Sequence, residues 1–224
     1  MSALLVAMYG LWERNNVLRR AERVRLSEIM ADLNGLGLEL SKLPSELQQQ
    51  GRAVQTINTH AELLGQQAMA LLGNFTGTIT SAEYRTLAYG LSRAGYQPDA
   101  DQVWRRAVEQ ADKEGSTQSV YALRAYGVFL FQKGYLGQAR IEFEQAVQRS
   151  SNLDASYSWM HAETLLFWAD NEASVATHEG RAYDLLDRAD GIILTLPQFD
   201  FRRLQLTDSI SRARQVVAQR ANGT

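Results

Sequence analysis

A pattern of large and small residues occurs twice in this chain, 39 residues apart. The first copy consists of Tyr84, Leu87, Ala88, Leu91, Gly95, Ala100, Trp104 and Ala107, and the second of Leu123, Tyr126, Gly127, Leu130, Gly134, Ala139, Phe143 and Ala146. Within each copy the apolar residues are mostly three or four positions apart, which is the period of an α-helix. A repeat at a fixed offset is typical of stacked helical units, so the pattern predicts an α-helical solenoid.

The composition favours an all-α protein without redox or thiolate chemistry. Only three prolines occur in 224 residues, and cysteine is absent. Few prolines and many good helix formers favour helices, and the absence of cysteine excludes disulfides and cysteine metal sites. The net charge of −2 gives no general attraction to nucleic acid.

The two copies resemble the tetratricopeptide repeat family. The family's unit has small residues where Gly127 and Ala139 stand, an aromatic residue where Phe143 stands, and often a glycine at the turn, here Gly134. The resemblance covers residues 81–196 and implies a short solenoid of three helix pairs, with a capping helix after Pro197. The spacing of 39 residues departs from the usual 34, because about five residues are added within 112–119.

The solenoid is predicted to contain seven helices joined by short turns. Thr80 and Glu83 have the spacing of a capping box, which predicts a helix start at about Ser81. Pro98 is assigned to the turn between the first two helices, and the glycines at the turns of both copies can adopt positive φ. The predicted helices are 81–94, 99–113, 119–133, 136–149, 154–169, 178–194 and 199–221.

The first 72 residues carry a heptad of apolar residues that is unbroken from Leu26 to Leu47. This period predicts a seam that is buried against another helix. Gly35, Gly37 and Pro44 oppose one continuous helix. Two alternatives stay open: a coiled-coil arm kinked near 34–44, or a hairpin with helices near 3–33 and 44–72. The sequence does not decide whether the seam pairs within or between chains.

An apolar run, Ser2–Trp12, precedes a cluster of arginines. The run is shorter than the roughly 20 residues of a membrane-spanning helix. It is also not preceded by the basic residue of a signal peptide. A truncated anchor, a surface-lying segment and a packed helix all fit the run. Association with a membrane through the N-terminus is therefore one alternative.

The predicted organisation is an N-terminal helical region at 1–72, a linker at 73–80 and a repeat domain at 81–224. We expect a non-catalytic protein-interaction scaffold whose N-terminal helices self-associate, as a homo-oligomer or within a larger assembly, or tether it. The alternative is the soluble part of a membrane-anchored envelope or signalling protein whose anchor ends at residues 2–12. A cytoplasmic or membrane-associated location is expected.

Repeat proteins of this family usually bind a peptide or protein in the groove that the first helix of each unit lines. The resemblance therefore implies partner-binding positions, which are Arg85, Tyr89 and Arg93 in the first copy and Tyr121, Arg124, Val128 and Phe131 in the second. Arg85 and Arg124 are equivalent, and arginines beside aromatic rings suit an acidic or C-terminal carboxylate peptide. Trp159 and Phe167 either extend this groove or pack in the core, and core packing is expected.

No pattern of residues points to catalysis. The three histidines are scattered and form no HExxH pair, and neither a GxxxxGK phosphate loop nor a GxSxG elbow occurs. We therefore expect no catalytic residue, no metal site and no cofactor. His161 is expected to be a packed histidine with a satisfied side chain.

Overall fold

The computed structural model describes residues 2–42, 51–75, 78–93, 95, 97–175 and 179–222. These residues form nine α-helices and one short 3₁₀ turn, with no strand among them, which confirms the predicted all-α class. The helices are α1 (Ser2–Lys42), α2 (Arg52–Asn74), α3 (Ser81–Arg93), α4 (Gln97–Glu114), α5 (Ser116–Gln132), α6 (Leu136–Ser151), α7 (Ser158–Ala173), α8 (Glu179–Thr195) and α9 (Phe201–Asn222).

The chain divides into two compact units, Met1–Ala107 and Val108–Thr224, and the division falls within α4. The segment predicted as a linker is non-helical at Phe75 and at residues 78–80, after α2 has ended at Asn74. The predicted domain boundary at 73–80 stays a prediction. Each unit is described separately below.

Helix α1 continues through Gly35 and Gly37 to Lys42, so the expected break at 34–37 is wrong. Each glycine costs about 1 kcal/mol relative to alanine in a helix. Burial of Leu33 and Leu36 on either side of Gly35 offsets that cost. The expected helix start at Pro44 and the seam residues Leu43 and Leu47 lie outside the described residues.

The predicted heptad seam is buried within the first unit. Its buried members in α1 and α2 are Leu26, Ile29, Leu33, Leu36, Ala61, Leu64 and Ala68. Helix α1 packs against both α2 and α3. A Cβ atom on Gly90 would lie 2.8 Å from the Cβ of Leu33, so glycine permits the close approach of α3 to α1. Over the described residues, the seam therefore pairs within the chain.

The first repeat-like helix pair, α3 and α4, begins as predicted at Ser81. The amide of Thr80 donates to the Glu83 carboxylate at 2.8 Å, and the Glu83 amide donates to Thr80 Oγ1 at 3.3 Å, which is the expected capping box. Pro98 lies in the first turn of α4, not in the preceding turn. Proline is tolerated there because the amides of a first helical turn have no helical acceptor.

The second helix pair, α5 and α6, has the close contact that the repeat pattern predicts. A Cβ atom on Gly127 would lie 2.7 Å from the Phe143 ring, which is fully buried. Gly134 has a φ of 78° and Gly95 a φ of 86°, so both turn glycines adopt the predicted positive φ.

The extra residues between the two copies are helical, so the predicted start of α5 at 119 is wrong. Gly115, with a φ of 126°, alone separates α4 from α5. The carboxylate of Asp112 accepts a hydrogen bond from Ser119 Oγ at 2.7 Å and is ion-paired with Arg149. Hydrogen bonding to Arg149 is the main cause of the lowered pKa of Asp112. These contacts hold the lengthened ends of α4 and α5 against α6.

The third helix pair starts later than predicted. A 3₁₀ turn at Ala155–Tyr157, capped by the Asp154 side chain, precedes α7, which continues to Ala173. The residues matched to the second helix of this pair, Ala182, Leu186 and Ala189, are all fully buried. Helix α9 packs on both α7 and α8, and α5, α7 and α9 are consecutive neighbours.

A buried carboxylate fixes α7 between α6 and α8. Glu172 is fully buried and accepts two hydrogen bonds from Arg140, at 2.7 and 2.8 Å, and one from Trp168 Nε1 at 3.0 Å. Arg181 of α8 lies 3.5 Å away. Burial raises the pKa of Glu172, but the hydrogen bonds and the two arginine charges outweigh burial, so the net pKa is lowered.

The helices were also considered as possible membrane spans. Among the described residues, none is both long enough and apolar enough to cross a membrane. The membrane-anchored alternative stays a prediction.

Candidate partner-binding site

The predicted positions Arg85, Tyr89 and Arg93 lie on α3 in the first unit. They are four residues apart and therefore share one helix face. Tyr89 is 43% exposed, and its ring meets the buried Trp104 edge to face, with centroids 4.8 Å apart. Arg93 is exposed and Arg85 is half-buried. This face therefore combines two basic side chains with an anchored aromatic ring.

In the second unit, Arg124 already has an acidic partner. It is buried, and its Nη1 lies 2.6 Å from Glu163 of α7. The guanidinium also lies over the Phe167 ring at 4.3 Å and over the Tyr121 ring at 5.1 Å. An acidic peptide would have to displace Glu163 to reach this arginine, so the contact does not favour the expected role of Arg124.

The other two predicted positions of α5 are less accessible than Tyr89. Phe131 is only 6% exposed and packs on Phe143, with centroids 5.8 Å apart, so it belongs mainly to the core. Val128 is half-buried.

The second unit contains a cleft of about 340 Å³ between α7 and α9. Leu166 and Leu206 are each 7% exposed and form an apolar floor, whereas Phe167 and Phe201 are 40% and 70% exposed at its walls. The residues along the two walls are Trp159, Glu163, Leu166, Phe167 and Asp170 of α7 and Phe201, Arg202, Gln205, Leu206 and Ser209 of α9. We call this feature the α7–α9 cleft.

The rim of the α7–α9 cleft carries charges of both signs. Arg202 stacks on Trp159 at 4.4 Å from the ring centroid. Burial raises the pKa of Asp170, against the lowering effect of the Arg220 charge. The rim therefore offers polar contacts but no net preference for an acidic ligand. An aromatic or aliphatic side chain fits the floor and walls.

Trp159 and Phe167 line the cleft, although core packing was expected for them, and the wall from α9 was not predicted. The repeat offset could have revealed it. Advancing by 39 residues leads from Arg124 to Glu163 and then to Arg202, and from Val128 to Phe167 and then to Leu206. The contact between Arg124 and Glu163 shows that residues at this offset meet on neighbouring helices. Treating α9 only as a capping helix concealed its wall of the cleft.

The described part of the chain contains no group of three or more His, Cys, Asp or Glu side chains that could hold a metal ion. His161 of α7 is packed, but its Nε2 atom is buried without a hydrogen-bond partner, so it is not satisfied as expected. Burial lowers the pKa of His161, and the charge of Arg188 adds to the effect.

Comparison of the chain with protein-family models, with curated proteins and with solved structures finds no match.

Proposed function

We propose that this chain is a non-catalytic protein-interaction module that binds a peptide segment of a partner in the α7–α9 cleft. The observation that carries the proposal is an apolar floor bordered by exposed aromatic rings, formed by two neighbouring helices of a repeat-like stack. The resemblance of the sequence to tetratricopeptide repeats agrees with this role, because in that family the first helices line the binding groove.

The chemistry of the cleft specifies the segment. Its volume is near the lower end of the range of about 300–1,000 Å³ for ligand pockets. It therefore suits one large apolar or aromatic side chain and its neighbours. Burying such a side chain contributes about 1.5–3 kcal/mol, and the mixed charges of Arg202 and Asp170 orient the flanking backbone. Rigid aromatic walls lower the entropic cost of binding.

The test is selection from a random peptide display library on the full chain. We expect enriched peptides that share an aromatic or aliphatic anchor. Their binding should perturb the emission of Trp159, because Trp104 and Trp168 are buried, and the variant Trp159→Phe should lack that response.

Two variants give the comparison its control. Phe201→Ser removes an exposed wall of the cleft, whereas Ile141→Ser removes a side chain of α6 that is 53% exposed and lies outside it. We expect affinity to fall by at least about tenfold with Phe201→Ser and to be unchanged with Ile141→Ser. If no peptide binds the full chain better than Phe201→Ser, the cleft is not the binding site.

A further inference from the structure

Helix α1 has a second heptad, on the side opposite its buried seam. Its members are Val17, Ala21, Val24, Glu28, Ala31, Gly35 and Leu38, alternately four and three residues apart. Val17, Val24 and Leu38 are 59%, 57% and 57% exposed. Ala21, Glu28 and Ala31 are also exposed. We call this set the outer stripe. Its period is that of a helix that pairs with another helix.

Gly35 provides an independent reason to look for another helix. It lies within α1 without a positive φ, and a Cβ atom there would meet nothing within 4 Å. Neither the backbone nor the packing of this unit therefore requires glycine, although glycine costs about 1 kcal/mol relative to alanine. Glycine in such a position permits close approach of a second helix.

We propose that the outer stripe is a homodimer interface, on which α1 of a second copy lies antiparallel. In this arrangement Leu38 faces Ala21 of the other copy, Val24 faces Gly35, and Glu28 faces Ala31. All three pairs are centred at the same level of α1, between Ile29 and Met30. Each pair sets a large side chain against a small one, which is how facing layers interdigitate.

The charges beside the outer stripe complement each other in the same arrangement. Arg25 and Asp32 are exposed and border a groove of about 550 Å³ between α1 and α2. They lie on the same flank of the stripe, and the antiparallel pairing brings Arg25 of each copy opposite Asp32 of the other. A twofold axis therefore creates two equivalent ion pairs, as an isologous interface requires.

A parallel pairing fits the same residues poorly. It would set Glu28 against Glu28 of the second copy and Gly35 against Gly35, leaving a repulsion and a gap. It would also bring Arg20 toward Arg25 of the other helix, which is a pair of like charges in the flanking positions that set orientation. The geometry of the stripe thus favours the antiparallel orientation.

This dimer differs from the self-association expected from the sequence. The expected interface was the seam that includes Leu26, and that seam is buried within the first unit. A dimer through the outer stripe is independent of the α7–α9 cleft and would present two clefts in one particle. Its failure would leave the proposed peptide binding untouched.

Cross-linking tests the orientation directly, because the native chain has no cysteine. Ala21→Cys and Leu38→Cys are prepared separately in the full chain and treated with a short bismaleimide reagent, alone and mixed. In the antiparallel dimer the two Ala21 positions are about 25 Å apart along the helix axes. We expect cross-linked dimer only in the mixture. Thr207→Cys, exposed on α9, measures random collision.

Sedimentation of the full chain over a range of concentrations tests the dimer itself. Val24→Asp should weaken dimerisation by at least about tenfold, since each dimer loses two valines. Glu28→Leu should tighten it, because it removes the only charged member of the stripe, and this gain cannot result from misfolding. The proposal is overturned by a monomer at every concentration, by Ala21→Cys cross-linking with itself, or by a mixture that reacts no faster than Thr207→Cys.

Discussion

The buried ion pair between Arg140 and Glu172 allows a stability prediction with two different outcomes from its two halves. Arg140→Met leaves the fully buried Glu172 carboxylate with Trp168 and with Arg181 at 3.5 Å. Removing one member of a buried pair costs about 3–5 kcal/mol. We expect about 3–4 kcal/mol, because Arg181 compensates in part. Glu172→Gln keeps the shape but loses one of two charge-assisted bonds, and we expect about 2–3 kcal/mol.

Urea unfolding of the full chain, followed by circular dichroism, measures these losses. With an m-value of about 2 kcal/mol per M, Arg140→Met should lower the unfolding midpoint of its unit by about 1.5–2 M. The matched control is Arg212→Met, which breaks an exposed pair with Asp208 on α9 and should cost at most about 0.5 kcal/mol.

The pH dependence distinguishes loss of the charge pair from loss of packing. In the native protein the pKa of Glu172 is lowered from its ordinary 4.5, so its contribution is present above that value and is lost as pH falls. In Arg140→Met, burial of the unpaired carboxylate raises its pKa, so protonation relieves the penalty. The two stability curves should converge as pH falls from about 7 to about 5. Parallel curves, or a cost equal to that of Arg212→Met, would refute the reasoning.

Three further predictions concern single residues of the second unit. Gly127→Ala should destabilise by about 1–3 kcal/mol, because its Cβ would lie 2.7 Å from Phe143. Gly191→Ala, whose Cβ would meet nothing within 4 Å, should instead stabilise by about 0.5–1 kcal/mol, and thermal unfolding compares the two. Gly134→Ala should destabilise because of its φ of 78°, which calorimetry would detect without any change in the helical circular dichroism. The pKa of His161 is lowered, so its neutral form stabilises the fold at about pH 7 and this stability is lost as pH falls below about 6.5; urea midpoints should depend less on pH in His161→Gln.

The helix pairs of the repeat region could be predicted because local periodicity and local chemistry agree there. The period of 3.6 residues placed Leu87 and Leu130 in the core, and both are at most 1% exposed. The capping box of Thr80 and Glu83 identified a helix start within one residue. At such positions neighbours within a few residues determine the structure, so a sequence pattern is sufficient.

The path of α1 could not be predicted, because contacts distant in sequence decide it. Local propensity ends a helix at Gly35, but Leu33 and Leu36 are buried against helices that follow later in the chain. Similarly, Glu172 is one acidic residue among many until Arg140 and Trp168 surround it. Intrinsic propensities of about 1 kcal/mol are easily overridden by burial of two leucines.

The offset of 39 residues explains both the failure of one binding prediction and the position of the candidate site. Arg85 and Arg124 suggest a row of positive charges, but the next equivalent residue is Glu163, which pairs with Arg124 at 2.6 Å. The charge reversal closes that position to an acidic ligand. Four residues further along α7, the same offset sets Phe167 where the first copy has Tyr89, and Phe167 is 40% exposed. The equivalent positions thus change from basic to apolar along the stack, and an apolar anchor is the ligand that this change selects.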